Sequence, residues 1–331
     1  MKAVYIRSFG GPENLEIKDV PEPPKPSARQ VLVRVRAAGL NRADLLQRRG
    51  LYPPPEGYSP NIPGLEFAGE VVEMGNDVSG FQPGDRVFGI TAGEAQAELL
   101  LTDGRTLAKI PQNLSFTQAA AVPEAFITAH DAVFTQGALK PGETLLVHAV
   151  GSGVGLAATQ MARAFGSKVI GTSRTADKLE RARRFGLDAG VLTGENAEFA
   201  SILRSKNGGG VDVILDLVGG GYFRENLECL LPKGRLMLVG LTSGRIAEFD
   251  LSLALAKRLR IIGTVLRSRT IHEKAAATQA FAEAVLPLFA DGTIVPSLDK
   301  VFPIAEVAEA HRYLESNRNF GKVVLQIEGK I

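Results

Sequence analysis

The 331-residue chain contains one cysteine, no tryptophan and four histidines. A lone thiol closes no intramolecular disulfide and builds no zinc centre from four cysteines or from paired cysteines and histidines. An excess of either charge is also missing: 38 Lys and Arg stand against 36 Asp and Glu, a formal net charge of +2. Nucleic-acid binding through phosphate neutralisation calls for a basic excess or a dense basic stripe. The basic clusters present, Lys178, Arg181, Arg183 and Arg184, then Lys257, Arg258 and Arg260, are short and read as solvated helix faces. No long apolar run survives inspection. Residues 145–162 carry no formal charge, but Gly151, Ser152, Gly153 and Gly155 interrupt them, so they read as strand, turn and helix rather than a membrane span. The start of the chain breaks at Gly10, Gly11 and Pro12, too early for the apolar core of an export signal. These absences lead to the expectation of a cytoplasmic globular protein with no membrane or nucleic-acid partner. At roughly 100–200 residues per domain, its length predicts two domains.

What is present changes character along the chain. Twelve of the 18 prolines lie at or before Pro111, in clusters such as 21–26 and 53–55. Short β-type runs lie between them, at 3–6, 31–40, 67–75 and 85–90. Val31, Val33 and Val35 alternate with Leu32, Arg34 and Arg36, the period of a strand with one solvated side. A β-rich first domain follows. From about residue 123, apolar strands at 144–150, 168–173, 189–193, 211–217, 235–241 and 260–266 alternate with helices, the mark of a parallel sheet covered on both faces. A helix at 278–290 follows, and the strand-like 322–327 is expected to rejoin the first domain. The predicted division is 1–122 with 292–331 for the β-rich catalytic domain, and 123–291 for an inserted, doubly wound nucleotide-binding domain.

The run LLVHAVGSGVGL at 145–156 takes a strand directly into a glycine turn and then a helix. Glycines there let the backbone approach a pyrophosphate, and the helix N-terminus stabilises its charge. Gly151, Ser152, Gly153 and Val154 are the candidate contacts. The third glycine of the usual pattern is displaced: Leu156 holds its place and Gly155 comes one residue early. At the end of the second strand, where an NAD-binding fold places an acid, stand Ser173, Arg174 and Thr175, with Lys178 beyond. A guanidinium, two hydroxyls and an ammonium suit a 2′-phosphate, which favours NADPH. His148, a lone histidine on an apolar strand, and Asp216, at a strand end, read as structural.

Longer segments carry a resemblance. LNRADLLQRRGLYPPP (40–55), IPGLEFAGEVVEMG (62–75) and PGDRV (83–87), in that order, resemble the zinc-independent quinone oxidoreductases of the medium-chain dehydrogenase/reductases. AAAVPEAFITAH (119–130) and TVLRSR (264–269) are similar to the tumour-suppressor-inducible members, close to the zeta-crystallin branch. The resemblance spans essentially the whole chain. It implies an α/β fold with a GroES-like catalytic domain and an inserted Rossmann domain. Zinc alcohol dehydrogenases of this superfamily carry a cysteine where this chain has Asn41, and a histidine where it has Leu65. Without that Lewis acid, alcohol oxidation loses its alkoxide stabiliser, whereas hydride transfer from NADPH to a quinone remains feasible.

The resemblance further implies that Asn41 and Tyr52 stabilise the developing oxyanion, with Arg267 as a third cationic candidate. It implies Thr128 near the nicotinamide, Gly240, Leu241 and Leu266 flanking the cofactor, and Asn319, Gly321 and Lys322 closing over it, with Lys322 near a phosphate. The same pocket serves reduction of an α,β-unsaturated carbonyl, which the residues alone do not separate from quinone reduction. A third alternative is a non-enzymatic NADPH-binding scaffold or RNA-binding crystallin-like protein. Assembly as a homodimer or homotetramer is implied by the family, with 258–266 offering an edge strand.

Overall fold

The alternating valines become the strand Gln30–Leu40, with Val31, Val33 and Val35 buried and Arg34 in solvent. It pairs antiparallel with Glu66–Met74, Leu99–Asp103 and Lys322–Gln326, which makes it the spine of a seven-stranded sheet. The computed structural model describes residues 1–194, 198–206 and 209–327, so the last four residues of the expected 292–331 segment lie outside the described residues. Two compact units emerge, Met1–Ile127 with Leu266–Ile331, and Thr128–Val265.

In the first unit, the closing strand Lys322–Gln326 returns as expected, its Val324 opposite Gly39. Leu298–Pro303 adds to it in parallel. Two stretches differ from expectation: residues 123–127 and 266–291 belong to this unit rather than to the nucleotide-binding one. For 266–291 the physical reason is aromatic packing. Phe281 and Phe289 of the helix Ile271–Ala290 lie 6.4 and 4.9 Å, centroid to centroid, from Phe88 and Phe126. That helix also starts before the expected Thr278, because Thr270 Oγ1 accepts from the Glu273 backbone N–H while Glu273 Oε2 accepts from the Thr270 N–H.

The second unit is a six-stranded, all-parallel sheet in the spatial order Ala189–Leu192, Lys168–Ser173, Thr144–Val147, Val211–Asp216, Leu230–Leu238, Arg260–Gly263. Numbered within the unit this is 3-2-1-4-5-6, the doubly wound dinucleotide-binding order, whose direction reverses between Thr144–Val147 and Val211–Asp216. Buried polar groups tie the strand ends there. His148 Nδ1 lies 2.9 Å from Thr172 Oγ1 and its Nε2 lies 2.6 Å from Asn226 Oδ1. The Asn226 amide donates at 3.0 Å to Asp216, which also accepts the backbone N–H groups of Val218 and Gly219. An amide oxygen can only accept, so His148 is the neutral Nε2–H tautomer, and burial depresses its pKa. His148 and Asp216 are structural residues in this arrangement. The single thiol, Cys229, is fully buried, and burial pushes it up to about 12, so it is no nucleophile at neutral pH.

His311, in the helix Val307–Glu315 of the first unit, is also buried and faces a cation: its Nδ1 is 3.3 Å from Arg48 Nη1. Burial and Arg48 push its pKa down from 6.5 to about 3. Between those values the unfolded chain binds a proton that the folded chain refuses. Stability is therefore complete above about pH 6.5 and falls as the medium is acidified. We expect His311→Gln, which keeps an acceptor for Arg48 but cannot titrate, to lose about 2 kcal/mol less than the wild type between about pH 7.5 and 5. Urea titrations at both pH values measure the difference.

Candidate active site

The first unit brings three carboxyl groups, Asp44, Glu66 and Glu124, close enough for their charges to act on one another. Asn41 ends the strand Gln30–Leu40 and caps the helix Arg42–Arg48, its N–H donating to Asp44 Oδ2 at 2.7 Å. Asp44 is fully buried and also accepts the Gly64 N–H at 3.0 Å. Desolvation raises its pKa to about 6 against the pull of these two hydrogen bonds.

Glu66 opens the strand Glu66–Met74 and is fully buried. Its Oε1 accepts from the Asn41 amide at 2.8 Å and from Lys322 Nζ at 2.5 Å, while Oε2 accepts the Glu124 backbone N–H at 2.8 Å. Gly39 makes room for this carboxylate, since a Cβ there would stand 2.2 Å from Glu66 Oε1. Lys322 Nζ also donates to Leu40 O at 3.2 Å and to Asn41 Oδ1. An ammonium only donates and a carboxylate only accepts, so the two orient the Asn41 amide without ambiguity. One Asn41 N–H serves Glu66. The other makes only a long hydrogen bond to Gly39 O at 3.5 Å, which an outside oxygen could readily replace.

Tyr52 and Arg267 form a second group in the same unit. Arg267, 4% exposed, donates to Ala92 O, Tyr52 O and Gln47 Oε1, and its guanidinium lies 4.9 Å from the centre of the Tyr52 ring. Arg267 thus pins the proline-rich loop with three of its five N–H groups, a bracing role beside the one expected of it as a third oxyanion donor. Tyr52 remains partly exposed, and burial raises its hydroxyl pKa, so it is a protonated donor at neutral pH. Glu124, at the start of the helix Pro123–His130, is partly exposed as well. Desolvation and the Glu66 charge lift its carboxyl to about 8.

The expected cofactor residues divide between the units. In the second unit, Gly151, Ser152, Gly153 and Val154 form the turn and first residues of the helix Gly153–Ala164, and Ser152 Oγ accepts the Gly155 N–H at 3.0 Å. Gly155 is the glycine of close approach, since a Cβ would fall 2.7 Å from Val150 O. The left-handed residue of this turn is Ala149, at φ +49°, not a glycine. Ser173 ends the second strand, Arg174 and Thr175 are exposed, and Lys178 is half-buried in the following helix Ala176–Ala182. Gly240 follows the strand Leu230–Leu238, donating to Asp216 O at 3.1 Å, where a Cβ would collide with Leu217 O at 2.6 Å; the neighbouring Leu241 is exposed. These groups all lie at carboxyl ends of the parallel strands, where dinucleotides bind in such sheets. Thr128 belongs to this unit too.

Leu266, Asn319, Gly321 and Lys322 belong to the first unit. Asn319 donates to Gly321 O, and Gly321 takes φ +100° against Ser297 O. Lys322 departs from expectation: its three N–H groups are all taken by Leu40, Asn41 and Glu66, so no donor remains for a phosphate. Glu66, Asp44 and Glu124 were absent from the sequence-derived site. The available signal was a carboxylate isolated in an apolar run, as in AAAVPEAFITAH.

Among the described residues no group of three His, Cys, Asp or Glu side chains is placed to hold a metal. No helix among the described residues is long and apolar enough to cross a membrane.

Both units match known dehydrogenase families. Residues 27–133 match the alcohol dehydrogenase GroES-like domain, and residues 153–283 match the zinc-binding dehydrogenase family. The chain belongs to the quinone oxidoreductase family of the medium-chain dehydrogenase/reductases: it is 33% identical to the human quinone oxidoreductase over 98% of this chain and 97% of that protein. The crystal structure of Escherichia coli quinone oxidoreductase complexed with NADPH superposes with a TM-score of 0.86 at 29% identity, covering 99% of this chain and 100% of that one. An NAD-dependent alcohol dehydrogenase is also similar, with TM-score 0.87 and 33% identity over 99% of this chain and 100% of that one.

Removing one member of the buried Glu66–Lys322 pair leaves an uncompensated charge. Lys322→Met is expected to cost about 3–5 kcal/mol of stability, and adding Glu66→Gln to recover much of it. Denaturant melts of the single and double variants test this coupling.

Proposed function

We propose that this chain is an NADPH-dependent quinone reductase that works without a metal. The observation that carries the reading is the Asn41 amide, which Glu66 and Lys322 fix and whose second N–H makes only a long hydrogen bond to Gly39 O at 3.5 Å; the family resemblance puts a cysteine at this position in zinc relatives. NADPH, when bound, supplies a hydride. The Asn41 N–H and the Tyr52 hydroxyl donate to the quinone oxygen as negative charge grows on it, in the role that zinc has elsewhere. Arg267 braces the Tyr52 loop so that this donor needs little reorganisation as charge develops.

The choice of NADPH over NADH rests on Arg174 and Lys178, and on the lack of an acid at the tip of Lys168–Ser173. A homodimer belongs to the same reading. Arg260–Gly263 is an unpaired sheet edge, with Ile261 and Val265 exposed beside it and the apolar Leu251 and Leu255 exposed on the preceding helix. The cytoplasm, as a site of NADPH-dependent reduction, is the expected location.

The test is a steady-state panel of naphthoquinone, phenanthrenequinone and a 2-alkenal with NADPH. A quinone is expected to give the largest kcat/KM, and Tyr52→Phe with Asn41→Ala to lower it by about 100-fold or more. A preference for the alkenal, or turnover indifferent to the double variant, overturns the reading. Separately, Arg174→Ala with Lys178→Ala is expected to weaken NADPH by about 1–3 kcal/mol per lost charge contact, with little change for NADH. Cofactor KM values measured side by side decide it.

A further inference from the structure

Reduction of a quinone to a hydroquinone takes up a proton as well as a hydride, and the three carboxyls of the first unit differ in a way that bears on its source. Asp44 and Glu66 are fully buried, and both accept strong hydrogen bonds: Asp44 from two backbone N–H groups, Glu66 from the Asn41 amide, the Glu124 N–H and Lys322. Their oxygens are thus already engaged as hydrogen-bond acceptors. The Glu124 side chain accepts no hydrogen bond and forms no ion pair with any described residue, although its backbone is fixed by Glu66. As a residue Glu124 is part-exposed, as are Asn41 and Tyr52, while its carboxyl is desolvated.

The cations facing Glu124 are engaged elsewhere. Lys322 is taken by Leu40, Asn41 and Glu66, and Arg267 by Ala92, Tyr52 and Gln47. Lys274, on the helix Ile271–Ala290, feels the Glu124 charge but forms no ion pair with it within 4 Å. Glu66 and Asp44 repel a second negative charge. A carboxyl without donors beside two anions keeps its proton. The Tyr52 hydroxyl is close enough to be influenced by the Glu124 charge.

We propose that Glu124 is the proton donor to the reduced quinone oxygen, acting beside the hydrogen bonds of Asn41 and Tyr52. The inference rests on the quinone-reductase reading above. The hydride and its electron pair come from NADPH, which is oxidised to NADP+ as the quinone is reduced. The Glu124 O–H bond breaks, a new O–H bond forms on the quinone oxygen, and solvent reprotonates the carboxylate between turnovers. Burial and the Glu66 charge hold the Glu124 pKa near 8, so the donor is loaded at neutral pH and lost above it.

The experiment compares wild type, Glu124→Gln and Glu124→Asp with NADPH and a naphthoquinone across neutral and alkaline pH. The expected result is a kcat lowered about 100-fold in Glu124→Gln with the KM for NADPH unchanged. The wild-type decline above about pH 8 should vanish in that variant and return, at a reduced rate, in Glu124→Asp. An infrared carboxylic-acid band present in the wild type and missing from Glu124→Gln should titrate over the same range. Wild-type turnover with the same kcat and the same alkaline limb in Glu124→Gln, or an infrared band unaffected by the substitution, overturns the proton donor alone. Absence of quinone-dependent NADPH oxidation in the wild type overturns the reductase reading itself and the proposal with it.

Discussion

The buried ion pair between Glu66 and Lys322 holds the catalytic unit together at one point. Two charges withdrawn from water are stable only when their remaining hydrogen-bonding capacity is filled. Here that requirement draws in Leu40, Asn41 and the Glu124 backbone. The pair joins the last strand of the chain to two early ones, so residues separated by more than two hundred positions meet in one cluster. It also orients the Asn41 amide and leaves Glu124 as the carboxyl without a donor. Structure and reactivity thus come from the same desolvated charges.

The nucleotide-binding unit uses neutral and singly charged partners for a similar purpose. Thr172, His148, Asn226 and Asp216 bond in a chain across the ends of three parallel strands. Every buried donor in that chain finds an acceptor, which removes the penalty an orphaned polar group would carry in so apolar a layer. The strand ends are then fixed where the glycine turn, Ser173–Thr175 and Gly240 emerge. Geometry rather than net charge prepares this edge for a dinucleotide, consistent with an overall charge of +2.

Much of this was legible in the residues. Period-two alternation located the spine strand, and the alternation of strands and helices specified a parallel sheet, because each element must bury a face of its own period. The departures have identifiable causes. The helix Ile271–Ala290 continues the strand–helix rhythm of the nucleotide-binding unit, yet its phenylalanines find their partners, Phe88 and Phe126, in the other unit. Gly155, one place early in the motif, provides the close approach because the turn takes its left-handed residue at Ala149. Glu66 and Glu124 escaped notice because isolated carboxylates carry no spacing pattern.

The sequence by itself determined the fold class and the glycine turn, since these follow from local periodicity and from residue identity at motif positions. Only the tertiary structure decided what the charged groups do. Lys322 reads as a phosphate ligand until its three donors are seen to be taken, and Arg267 reads as an oxyanion donor alone until it is found bracing Tyr52 as well. Glu124 looks like any helix-start acid until its neighbours prove to be anions and engaged cations. A side chain's charge state and free hydrogen bonds depend on what surrounds it, and those surroundings come from distant parts of the chain.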